Sequence, residues 1–154
     1  MIYADTHLYR HRHLPHLIKG GRTYYVTFCT RHRFFLTPEA RDAVLASCIH
    51  DHKTLGWVDC CVVMPDHLHF IVAPFESCSL HRIIGRIKSA SAYHVNRLTE
   101  RRGRLWQREA FDHLIRRDES LYEKRDYIAN NPVRAALVTD WRDYKWFWRS
   151  WAPT

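Results

Sequence analysis

Trp57-Val58-Asp59-Cys60-Cys61-Val62-Val63-Met64 and His67-Leu68-His69-Phe70-Ile71-Val72-Ala73 are two apolar runs separated only by Pro65-Asp66. Apolar, β-branched runs on either side of such a break read as the two antiparallel strands of a hairpin. Side chains alternate along a strand, so His67 and His69 emerge on one face while Leu68, Phe70 and Val72 point to the other. The apolar set marks the buried face, and the histidines are expected on an exposed one.

Upstream of this hairpin, the Gly20-Gly21 pair marks a turn, and residues 22–30, RTYYVTFCT, have the β-branched and aromatic content of a first strand. Thr37 followed by Pro38 reads as an N-cap with proline in the first helical turn. The stripe Ala40, Val44, Leu45, Cys48, Ile49 then predicts a helix to about His52. Downstream, Leu80, Ile83, Ile84, Ile87, Ser91, Val95 and Leu98 recur at helical spacing. Residues 108–116, REAFDHLIR, read as a fourth strand, and Asp118-Glu119 opens a helix through Tyr127 that is expected to end near Asn131-Pro132. The order β-α-β-β-α-β plus one helix predicts an α+β, ferredoxin-like antiparallel sheet with helices on one face and an additional C-terminal helix.

At 154 residues with 46% hydrophobic, 14% aromatic and 26% charged residues, the chain fits one globular domain and excludes a disordered polymer. It divides into a His-rich arm at 1–19, the domain proper, and a Trp-rich tail at 137–154. No run of about 18 apolar residues appears, and the arm lacks the apolar stretch of a secretory leader, so a cytoplasmic, nucleoid-associated location without a membrane partner is expected. The five cysteines show no C-x-x-C spacing, which argues against a disulfide framework or a zinc ribbon.

The formal charge is +8, and residues 81–108 contribute most of it: Arg82, Arg86, Lys88, Arg97, Arg101, Arg102, Arg104 and Arg108 against the single acid Glu100. Such a stripe favours a polyanionic partner, nucleic acid before membrane. Trp106 and the tail tryptophans add surfaces that could stack on unpaired bases or fill the core.

Two neutral imidazoles on one strand face suit a divalent metal. The spacing alone is weak, because His11/His13 and His50/His52 share it. What singles out His67 and His69 is a mid-strand position and a polar helix able to lie across them. On that helix Tyr127 and Asn131 stand four apart, on one side. A tyrosine beside a metal is a credible nucleophile; the ordinary alternatives are core packing for Tyr127 and helix capping for Asn131.

Three strings, VVMPDHLHFIV (62–72), LWQREAFDHLIR (105–116) and DYIANNPVRAALV (126–138), stand in an order that resembles the REP-associated tyrosine transposases, relatives of the single-tyrosine HUH transposases. The resemblance covers about Gly20 to Trp148. It implies a ferredoxin-like core and action on single-stranded DNA at palindromic REP-type hairpins, through a 5′-phosphotyrosine link. His67 and His69 would be the metal-holding histidines, Tyr127 the nucleophile, and Asn131 the third ligand to Mg²⁺ or Mn²⁺. His113 and Arg108 fall in family motifs with DNA or active-site contact. Asp66 stands where the family often has Asn, and Ala136 where it often has Gly. The expected oligomeric state is a monomer or homodimer, and the alternative of another class is a non-cleaving hairpin-binding regulator on the same fold.

Overall fold

The computed structural model describes residues 21–116 and 121–151. The His-rich arm and the helix start expected at Asp118-Glu119 lie outside the described residues. Five strands, β1 (Tyr24–Cys29), β2 (Gly56–Val63), β3 (His67–Pro74), β4 (Phe111–Leu114) and β5 (Phe147–Arg149), form one sheet in the order β4-β1-β3-β2-β5. Every pairing in it is antiparallel. The helices are α1 (Pro38–Ile49), α2 (Leu80–Leu98) and α3 (Leu121–Arg134). The fold is therefore α+β and ferredoxin-like. Helices α1 and α2 pack on one face, and the additional helix α3 covers the other.

Local chemistry explains where elements start. The Thr37 side chain accepts from the Ala40 backbone N–H at 3.2 Å, with Pro38 in the first turn, and Ser79 caps α2 by accepting from Arg82 N–H at 3.1 Å. Ile83, Ile87, Ser91 and Val95, four residues apart in turn, form the buried stripe of α2. A β-bulge between Val58 and Cys60 puts Asp59 and Cys60 consecutively on the α3 face. Asp59 thereby meets Arg125 of α3 in a bidentate pair with no solvent access to the carboxylate, at 2.5 and 2.7 Å.

Three expectations change. Helix α3 continues through Pro132 to Arg134 instead of stopping at Asn131, so Asn131 is not its cap. The helix closes with Ala136 left-handed at φ 57°, Leu137 N–H donating to Pro132 O at 2.9 Å and Ala136 N–H to Val133 O at 3.0 Å, a Schellman ending. Ala136 thus occupies the conformation a glycine adopts without strain. The Trp-rich tail is also part of the fold: it supplies β5, and Trp141 and Trp151 are buried in the α3-side core. Lastly, the histidine face is covered, because α3 lies over it.

Candidate active site

Register decides which side chains share the α3 face. His67 lies opposite Cys29 and His69 opposite Thr27, so β1 presents Tyr25, Thr27 and Cys29 beside the two histidines. On the next strand Phe111 lies opposite Thr27 and His113 opposite Tyr25, which places both on this face. Tyr127 reaches it from α3. Its ring centroid is 6.0 Å from that of His69 and 6.3 Å from that of Tyr25, and the two imidazoles are 4.8 Å apart at 80°. Between them lies an open cleft of about 520 Å³, lined by Tyr25, Thr27, His69, Phe111, Glu123, Lys124 and Tyr127. Tyr127 is 49% exposed there and Phe111 63%. The core-packing alternative for Tyr127 does not describe such a side chain.

Each imidazole is held through Nδ1. Asp66 Oδ1 accepts from His67 Nδ1 at 2.7 Å, while His69 Nδ1 meets Thr27 Oγ1 at 2.6 Å and Tyr25 Oη at 2.9 Å. A ring fixed by one nitrogen offers the other, here Nε2, as the remaining donor. Burial, helped by the neighbouring His67 and the Arg134 charge, pushes His69 down to about 3, so it is neutral at physiological pH. Burial alone would raise Asp66; its hydrogen bond to His67 and the charges of His67 and Arg33 outweigh that and hold the carboxyl below its ordinary value. Burial drives the Tyr25 phenol up to about 12, which leaves it a neutral hydrogen-bonding group. Arg134 lies 4.0 Å from the Tyr127 ring centroid, and its Nη2 donates to Tyr127 O at 2.7 Å. One cation therefore both packs on the ring and bonds the backbone of Tyr127.

Two imidazoles that are each held at Nδ1 and keep Nε2 for a ligand fit a divalent ion of borderline softness. Among the described residues no group of three His, Cys, Asp or Glu side chains is placed to hold a metal. Asn131, a buried amide one helical turn beyond Tyr127, is of a residue type able to add a third ligand. Sequence reading missed the supporting partners Tyr25, Thr27 and Asp66 and the cleft residues Glu123 and Lys124. Adjacency to His67 pointed to Asp66, and four-residue spacing from Tyr127 pointed to Glu123. Nothing local pointed to Tyr25 or Thr27, which arrive through strand pairing.

The basic stripe divides. Arg82, Arg97, Arg102, Arg104 and Arg108 are exposed. Arg97 donates to the Tyr93 hydroxyl. Arg86 is instead tied to Asp51 by two bonds of 2.6 and 3.0 Å, and the Arg101 guanidinium sits 3.9 Å from the Phe34 ring centroid. Lys88 bends inward to donate to the carbonyls of Gln107, Arg108 and Glu109, and burial lowers its pKa. It braces the 107–109 backbone and is not displayed for phosphate. Trp106 is a second correction: 2% exposed, it donates to Ser91 Oγ at 2.9 Å and packs edge-on against Phe28, so it fills the core and cannot stack on a base. The stripe as a whole belongs to the α2 side of the sheet, opposite Tyr127.

An antiparallel sheet with a strand-borne histidine pair facing a helix-borne tyrosine is the site of this chain, and its sequence places it among transposases. Residues 22–131 match the family described as Transposase IS200 like, and the chain belongs to that family. A REP-associated tyrosine transposase of Haemophilus influenzae is 30% identical over 140 residues, covering 80% of this chain and 78% of its own. The fold is shared with a REP-associated tyrosine transposase solved bound to a REP hairpin, with a TM-score of 0.67 at 23% identity over 82% of this chain and 76% of that one. A transposase structure from Deinococcus radiodurans gives a TM-score of 0.53 at 17% identity over 70% and 88%. No helix among the described residues is long and apolar enough to cross a membrane.

Proposed function

We propose that this transposase cleaves and rejoins single-stranded DNA at REP-type hairpins through a covalent tyrosine intermediate, with Tyr127 as nucleophile. The observation that carries the reading is the placement of Tyr127, exposed and clamped by Arg134, 6.0 Å ring to ring from a neutral, hydrogen-bonded His69. In the reaction Tyr127 Oη forms a bond to the scissile phosphorus and the P–O3′ bond breaks. The phenolic proton leaves and the 3′-oxygen gains one. The products are a 5′-phosphotyrosine and a free 3′-hydroxyl, and attack by a 3′-hydroxyl on the same phosphorus reverses the step, so rejoining needs no nucleotide cofactor.

His67, His69 and Asn131 would hold Mg²⁺ or Mn²⁺, which supplies neutralisation of phosphoryl charge. The chain's own residues do the rest. Asp66 and Thr27 aim the imidazoles, Arg134 fixes the nucleophile's ring, and Lys124 brings positive charge to the cleft wall. Phe111, exposed at the cleft mouth, offers a face to a base beside the scissile phosphate. Arg82, Arg97, Arg102, Arg104 and Arg108 remain available for hairpin phosphates, with His113 on the cleft face.

Incubation with a single-stranded hairpin DNA carrying flanks, with Mn²⁺, should yield a protein–DNA adduct that survives denaturing electrophoresis. Tyr127→Phe, which removes one hydroxyl, should abolish it while hairpin binding persists. Binding without any adduct from the parent would favour the non-cleaving regulator, and an adduct mapped to Tyr93, Tyr122 or Tyr144 would displace Tyr127.

A further inference from the structure

The segment Arg31-His32-Arg33-Phe34-Phe35 follows the last residue of the β1 ladder by two positions and lies at the end of the sheet where His67 begins β3. Its backbone is unusual. His32 and Arg33 are both left-handed, with φ of 55° and 53°, and neither is glycine. Such conformations persist only where surrounding structure over-determines them, and they concentrate at sites that bind or react. Here four contacts hold the turn: Arg31 N–H donates to Leu105 O at 2.7 Å, Phe34 N–H to Arg31 O at 3.2 Å, Thr30 Oγ1 to Phe34 O at 2.8 Å, and Arg33 Nη1 to Asp66 Oδ2 at 3.1 Å.

What the turn displays is two exposed cations, Arg31 and Arg33, with the His32 imidazole between them and Phe35 beside them at 64% exposure. The Phe35 ring is exposed next to these arginines. It is the combination that binds single-stranded nucleic acid, arginines on phosphates and a ring under a base. Two connections tie the turn to the rest of the molecule. Arg31 meets the 101–105 segment through Leu105, which brings it beside the exposed Arg102 and Arg104. Arg33 shares the Asp66 carboxylate with His67, each on its own oxygen.

We infer that residues 31–35 form a docking site for the unpaired strand that flanks the hairpin, with Arg31 and Arg33 on its phosphates and Phe35 under one of its bases, at the His67 end of the cleft. The inference rests on the DNA reading above but not on cleavage. It explains how a hairpin carried on the α2 side could be linked to a cleft on the α3 side: the turn stands at the sheet end between the two. It also gives Arg33 a positioning role, because the carboxylate that aims His67 is the one Arg33 holds.

The probe is a fluorescent oligothymidine of twelve nucleotides, titrated in the Tyr127→Phe background, so that failure of the cleavage chemistry leaves the measurement intact. Phe35→Ala should weaken binding about tenfold, within the range for one base–aromatic stack. Arg31→Ala with Arg33→Ala should flatten the slope of log affinity against log salt by about 1.4, at roughly 0.7 for each single-strand phosphate lost. Arg142→Ala, a surface arginine paired with Asp140, serves as the control and should change neither. An oligonucleotide carrying 5-iododeoxyuridine should photocrosslink to the peptide containing Phe35, a readout that a purely structural role would not give. Unchanged affinity in Phe35→Ala together with crosslinks mapped elsewhere would overturn the inference, as would parent protein that ignores the oligonucleotide at low salt.

Discussion

Replacing Arg125 by Met removes one half of a buried ion pair and leaves the other half in place. Asp59 has no solvent access, both its oxygens are taken by the guanidinium, and the Trp151 ring covers Arg125 at 4.2 Å. Burial pushes the Asp59 carboxyl up while Arg125 pulls it back; burial alone would lower Arg125, and Asp59 more than offsets that. Both shifts are upward, which favours the neutral form of Asp59 and the charged form of Arg125. The pair is read as ionised at neutral pH because a guanidinium does not give up its proton and meets the carboxylate through two bonds. Breaking such a pair from one side costs about 3–5 kcal/mol, which for a chain of this size lowers Tm by about 10 °C. The loss should depend on pH with a definite sign. In the variant the native carboxyl titrates above its unfolded value of about 3.9, so the penalty is complete at neutral pH and shrinks as pH falls toward that value. Asp59→Leu combined with Arg125→Met removes the stranded charge and should return to within about 1 kcal/mol of the parent. Urea denaturation at pH 7.5 and pH 5 checks all three statements. A loss under about 1 kcal/mol that is equal at both pH values would refute the reasoning, since it would mean Asp59 finds water or another donor once Arg125 is gone.

Trp106→Ala should cost about 3–5 kcal/mol in denaturant unfolding and leave hairpin affinity of the folded fraction unchanged, because the ring is core and not a stacking surface. Ala136→Gly should raise stability by about 0.5–1 kcal/mol, visible as a Tm gain of a few degrees, since glycine takes the left-handed position without a Cβ clash. Arg102→Ala with Arg104→Ala should flatten the salt dependence of hairpin binding, whereas Arg86→Ala, already paired with Asp51, should leave the slope unchanged; equal effects would show that Arg86 leaves its acid for DNA.

The elements that could be read from sequence were those whose signals are local. Pro65-Asp66 between two apolar runs gives the hairpin, Thr37-Pro38 and Ser79 sit where caps belong, and the stripe from Ile83 to Val95 gives α2. The histidine pair and Tyr127 were legible for the same reason, as residue types at spacings that a strand and a helix convert into shared faces. Features that depend on distant partners were not. β5 is three residues long and exists because β2 offers it an edge. Trp106 stands among arginines in sequence, yet Ser91 and Phe28, brought by α2 and β1, enclose it. Pro132 suggested a helix end, but burial of Ile128, Ala129 and Asn131 against the sheet carries the helix past it. Lys88 has the periodicity of an outward residue, and only the path of residues 107–109 turns it inward.

The β-bulge at Asp59 adds one residue to a strand and so shifts which side chains β2 shows to α3. Without it, Asp59 and Cys60 would alternate, the carboxylate would point into the apolar layer beneath α1 and α2, and Arg125 would have no anion to meet. A single extra residue in an inner strand thus acts as a spacer that sets the seat of the helix bearing Tyr127. Deleting Asp59 would return β2 to plain alternation, with Val58 and Cys61 still on the α1/α2 face and Cys60 on the α3 face, so the strand would keep its faces and lose only the carboxylate that seats Arg125.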